Sequence, residues 1–103
     1  MNIQLSHEGS VIVLKLQGKF DFESNPEFRS KSKEAIELNG SEIQVDLAGV
    51  NYLDSSALGM LLLLREKCEA AQKRVVLMNP SSLVANIFQV ARFANLFDIR
   101  PST

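Results

Sequence analysis

The chain has 103 residues, the length of one domain, and that is enough to bury a hydrophobic core without disulfides or metals. Hydrophobic residues make up 46% and charged residues 22%, and a formal net charge of −1 leaves no electrostatic footprint for nucleic acid or an anionic membrane surface. The single cysteine, Cys68, excludes an internal disulfide and a cysteine-based zinc site, and the longest apolar run, ALGMLLLL, falls far short of the ~20 residues that span a bilayer. The N-terminus MNIQLSHEGS has no basic region followed by an apolar stretch, so no secretory signal is expected and the chain reads as cytoplasmic.

Residues 2–6 form a short mixed segment that reads as an edge strand, and HEGS at 7–10 is a turn in which Gly9 supplies a permissive backbone. VIVLKLQG at 11–18 is β-branched and mostly apolar, so it completes a hairpin. Ser24 or Asn25 caps a helix with Pro26 in its first turn, running to about Leu38 with Phe28, Ser32, Ala35 and Ile36 on one face. Asn39-Gly40 ends that helix. EIQVDLAG at 42–49 alternates as a strand, and Gly49 is expected to break it. A second helix is expected from Ser55 to about Gln72. RVVLMN at 74–79 is the continuous apolar run of a strand covered on both faces. Pro80-Ser81-Ser82 opens a third helix over 82–92, with Leu83, Ile87, Val90 and Ala91 expected inward. The tail FANLFDIRPST is expected to pack a short turn or strand and then fray. The order β-β-α-β-α-β-α predicts an α/β fold, with right-handed crossovers and a sheet that is largely parallel in its second half.

In open α/β sheets, ligand and regulatory chemistry collects beyond the C-terminal ends of the strands. YLDSSALG at 52–59 stands at such a junction. Capping by Asp54 or Ser55 accounts for one polar residue there and is worth ~1 kcal/mol. It leaves Ser56 unexplained, and also Gly59, since a glycine inside a helix costs about 1 kcal/mol relative to alanine. A phosphate on Ser56 would sit at a helix N-terminus, where free N–H groups favour an anion, and would bring roughly −1.5 to −2 charges beside Asp54. Cap and switch both fit these residues. Along the same helix Ala57, Met60, Leu61, Leu64, Cys68 and Ala71 form an apolar stripe, which makes Cys68 a buried, inert thiol. Leu58 and Leu62 fall on the opposite side, among Arg65, Glu66, Glu69, Gln72 and Lys73, either as a protein-binding patch or as ordinary exposed leucines.

The run VDLAGVNYLDSSALGMLLLLREKCEAAQKRVVLMNPSSLVANIF resembles the STAS family, whose best-known members are bacterial anti-sigma factor antagonists. The resemblance extends to GKFDF at 18–22 and to the D-S-S-x-L-G signature at 54–59, and it covers nearly the whole chain as a single STAS domain, residues 1–103. It implies a mixed sheet of about four to five strands with about three helices and no enzymatic activity. It further implies phosphorylation of the second serine, Ser56, by a partner that is both anti-sigma factor and serine kinase. The unmodified form binds that partner, and a PP2C-type phosphatase restores it. Asp21 and Asp54 match the acidic residues that orient the serine and shape its surroundings, with Ser55 and Gly59 beside it. The partner-binding face implied is Asp21, Ser55, Leu58 and Leu62. Alanine stands at 57 where many antagonists have glycine, and the chain ends soon after FDI, so three helices are expected rather than four.

Other chemistry finds little support. His7, the only histidine, lies in the first turn and reads as solvated, and there is no G-x-S-x-G elbow or phosphate-binding G-x-x-x-x-G-K-[ST] loop. No cofactor, metal, nucleic-acid or membrane partner is expected, and the free protein is expected to be a monomer. Arg29, Lys31 and Lys33 are balanced by Glu27, Glu34 and Glu37 and read as a solvated face. The alternative function is a constitutive STAS subunit of a transporter or stress-sensing complex, with the serines serving only the helix cap.

Overall fold

The computed structural model describes residues 1–101. Alternation in the first twenty residues builds a hairpin of β1 (Asn2–Glu8) and β2 (Val11–Phe20), closed by Gly9 and Ser10, with Glu8 opposite Val11. Gly9 has φ of +61°, a left-handed conformation that glycine adopts without steric penalty. His7 lies in β1 and is exposed, so the turn is tighter than the sequence suggests. A 3-10 turn (Phe22–Ser24) leads into α1 (Asn25–Glu37), followed by β3 (Glu42–Leu53), α2 (Ser55–Ala70), β4 (Arg74–Met78), α3 (Ser82–Val90), a second 3-10 turn (Phe93–Asn95) and β5 (Asp98–Arg100). The strands lie in the order β1-β2-β3-β4-β5, with β1 antiparallel to β2 and all later pairs parallel. This is the expected mixed sheet with three helices, extended by β5.

Each parallel crossover advances one strand in the same direction. Right-handed connections therefore put all three helices on one face of the sheet. In register, Ile12, Ile43 and Val75 form one row of that face, and Leu14, Val45, Leu77 and Ile99 form the next. They pack in one core with Phe28, Leu61, Leu64, Val84 and Phe88 from the helices. The other face carries Lys15, Gln44 and Asp46, none of them buried. The helices cover one side only, yet Val75, Val76 and Leu77 are all buried, so the centre of β4 is covered on both faces as its continuous apolar run predicts. Val76 is fully buried on the opposite face, between Gln44 and Asp98 in register.

Gly49 does not end its strand. β3 runs on to Leu53, and its register with β2 shifts between Lys15 and Gln17 and again between Gly18 and Lys19. A Cβ at Gly49 would lie 2.8 Å from Gln17 Cγ and 3.0 Å from the Leu16 carbonyl oxygen. The glycine permits close passage of two backbones at a bulge, the other meaning of glycine in a strand. Continuation of both strands brings their ends together: the Asp54 N–H donates to the Phe20 carbonyl at 3.3 Å. The loop after β2 and the head of α2 thereby become neighbours.

The inward face of α3 also differs from expectation. Val84 and Phe88 are buried and Ile87 is half-buried, whereas Leu83, Val90 and Ala91 are exposed, Val90 to 86%. The helix spans nine residues and Ala91 is its C-cap, so a single 84/88 stripe reaches the core. Phe93 and Phe97 continue that stripe, with ring centroids 5.2 Å apart for Phe88–Phe93 and 5.0 Å for Phe93–Phe97. The tail thus forms both a turn and a strand. Its expected frayed end falls on residues 102–103, outside the described residues. Ala71 likewise lies past the end of α2 as its exposed C-cap, not in the apolar stripe.

Candidate functional site

The junction read from the sequence lies at the C-terminal edge of the sheet. Asp54, in extended conformation, is the N-cap of α2. Its Oδ1 accepts from the Ala57 N–H at 3.0 Å, and its Oδ2 accepts from the Phe22 N–H at 3.2 Å. One carboxylate therefore satisfies the first turn of α2 and ties the loop after β2 to it. Asp21 caps the neighbouring 3-10 turn. The Ser24 hydroxyl donates within reach of Asp21 Oδ1 (3.2 Å) and the Lys19 carbonyl (3.0 Å), and the Asp21 N–H donates to that same hydroxyl at 3.3 Å. Ser24 is also the N-cap of α1, yet its hydroxyl is committed to the turn and makes no cap bond to the helix.

Ser55 and Ser56 occupy the first two positions of α2. Ser55 is exposed and Ser56 half-buried. Neither hydroxyl has a hydrogen-bond partner among the described residues, and Asp21 and Asp54 direct their carboxylates to backbone and Ser24 instead. Leu58 packs partly against the core, while Leu62 is 39% exposed. Gly59 is exposed, and a side chain there would meet nothing within 4 Å, so the glycine does not serve a tight helix–sheet contact. The space beside it is a groove of about 340 Å³ between α1 and α2, which Ser56 and Gly59 help to line. Phe22, Leu63 and Lys67 line it too, and they escaped the sequence reading. A spacing signal was present: Ser56, Gly59, Leu63 and Lys67 follow the three- and four-residue steps of one helix face. Phe22 carried no such signal, because its 70% exposure depends on how the loop folds.

Cys68 is fully buried, and loss of solvation pushes its thiol up to about 11. At the other end of the sheet, Arg74 donates to Glu42 at 2.6 Å and Gln44 donates at 2.7 Å. The Arg74 guanidinium, with help from Gln44 and Arg100, holds the Glu42 carboxyl below the usual carboxylate range. Among the described residues no helix is long and apolar enough to cross a membrane.

A mixed sheet led by a hairpin, with helices on one face and a D-S-S-x-L-G turn at the head of the second helix, defines a class of protein. The family model described as "Mlab, STAS domain" matches residues 3–99, and the chain belongs to the STAS-domain family. A STAS-domain-containing protein of Pseudomonas aeruginosa (strain UCBPP-PA14) is 38% identical over 91% of this chain and 92% of its own length. An anti-sigma F factor antagonist of Lysinibacillus sphaericus is 31% identical over 76% of this chain and 68% of its own. Among solved structures, the anti-sigma factor antagonist SpoIIAA in its unphosphorylated form superposes with a TM-score of 0.76 at 26% identity, over 99% of this chain and 90% of that one. SpoIIAA in its phosphorylated form matches equally well, at 0.76 and 25% identity, over 99% and 92%. As a member of this family, the chain is a binding protein rather than an enzyme.

Proposed function

We propose that this protein is a phosphorylation-switched anti-sigma factor antagonist, built as one STAS domain over residues 1–103, monomeric when free and acting in the cytoplasm. Ser56 is the phosphoacceptor. The face carrying Asp21, Ser55, Leu58 and Leu62 binds a cognate anti-sigma factor that is also the serine kinase, and a PP2C-type phosphatase reverses the modification. The observation that carries this reading is how the polar residues divide at the head of α2: Asp54 makes the cap, so the Ser56 hydroxyl is not spent on it. The relatives named anti-sigma F factor antagonists and the two forms of SpoIIAA support it.

A phosphate at Ser56 would meet the free N–H groups of the first turn, so the fold tolerates it. It would also place roughly two negative charges on a face that a partner must desolvate, which opposes binding. The test is intact-mass analysis of protein from its native host with peptide mapping of 54–65, followed by affinity measurement against the captured kinase. Phosphate is expected on Ser56 in part of the population. Ser56→Asp should bind at least about tenfold more weakly, while Ser56→Ala remains competent. Equal affinity of Ser56→Asp and unmodified protein would sink the mechanism, and an unmodified Ser56 under all growth conditions would favour a constitutive subunit.

A further inference from the structure

The groove between α1 and α2 has features that a protein-docking serine does not need. Its floor is apolar, formed by the buried Phe28, Met60 and Leu64, and Phe22 and Leu63 stand exposed at its walls. Arg29, Lys33 and Lys67 line it as well. Among the described residues none of these three forms an ion pair, whereas nearby Lys31 pairs with Glu34 and Arg65 with Glu69. Ser32 lines the groove from α1. It is 7% exposed, and its hydroxyl has no hydrogen-bond partner. A serine inside a helix ordinarily turns its hydroxyl to solvent or to the carbonyl one turn back. This one does neither, and its oxygen is closed off beneath the groove, so the three cations are what remains for a ligand to meet.

The α2 positions that line the groove run from Ser56 to Lys67, a length of about 16 Å at the helical rise. An elongated cavity of about 340 Å³ is within the range that holds a small molecule. We propose that this groove binds a free medium-chain alkyl carboxylate. The carboxylate faces Arg29, Lys33 and Lys67. The chain lies on Phe28, Met60, Leu63 and Leu64 toward Phe22. The site shares Ser56 and Gly59 with the proposed switch but requires no phosphate, so it stands or falls separately.

The test is titration of the isotopically labelled, unphosphorylated chain with decanoate held below its micelle concentration, followed by amide shifts and calorimetry. Saturable binding of one equivalent is expected, with shifts centred on residues 29–33 and 59–67. Decanol and inorganic phosphate should each bind at least about tenfold more weakly, since each offers half of the recognition. The double variant Arg29→Glu/Lys33→Glu should lose about tenfold in affinity with its unfolding midpoint unchanged. Equal binding of decanol and decanoate would overturn the proposal. So would shifts centred elsewhere, an unchanged affinity in the charge-reversed variant, or association with anionic vesicles but not with monomeric decanoate.

Discussion

Asp54 shows how much one side chain can organise. Its two carboxylate oxygens serve two elements, the Ala57 N–H inside α2 and the Phe22 N–H across the loop. Asp54→Ala should therefore cost about 1–2 kcal/mol for the lost cap and about 1 kcal/mol more for the second bond, read as a lower midpoint in urea. Asp54→Asn keeps one acceptor oxygen and should lose less. The cap was visible in the sequence as a polar residue ahead of an apolar run, although Asp54 and Ser55 were equal candidates. The bond to Phe22 was not visible, because its partners are 32 residues apart and meet only once β2 and β3 have paired. Ser32 is the converse case. The sequence placed it on the inward face of its helix, but an unpartnered hydroxyl is a property of the packed neighbourhood.

At the scale of elements, two glycines that look alike in sequence have opposite surroundings. Gly49 sits where a Cβ would press on the Leu16 carbonyl oxygen, and backbone cannot yield as a flexible side chain can. Gly49→Ala should cost about 1–3 kcal/mol. Gly59 is in a helix with open space beside it, so Gly59→Ala should gain about 1 kcal/mol from helix propensity. Thermal or urea unfolding of the pair checks both, and a destabilised Gly59→Ala would contradict the open groove. Helix spans were legible within a few residues because periodicity is local. The inward face of α3 was misjudged because a nine-residue helix offers only two turns of signal, and docking selects which side is buried.

Across the whole molecule, Glu42 clamps the bottom of the sheet. It sits on β3, receives Arg74 from β4, and lies 3.9 Å from Arg100 on β5. These partners depress its carboxyl in the folded state, chiefly through the Arg74 bond. A depressed pKa means that the unfolded chain takes up the proton first. The contribution is complete above the ordinary carboxylate range and is lost as pH falls through the folded value. Urea midpoints of the wild type and Glu42→Gln, compared between about pH 7 and about pH 3, should converge on acidification. A constant gap would show that the clamp is not electrostatic.

By itself the sequence determined the element order, the hairpin, the buried stripe of α2 and the D-S-S-x-L-G turn, because propensity, periodicity and capping act over a few neighbouring residues. The tertiary structure alone decided that all three helices cover one face, that β3 passes through Gly49, and that Asp54 reaches Phe22. It also assembled the groove from Arg29, Ser32 and Lys33 on one helix and Met60, Leu63 and Lys67 on another. Those outcomes depend on contacts between residues far apart in the chain, which take shape only when strand register and helix docking are fixed together.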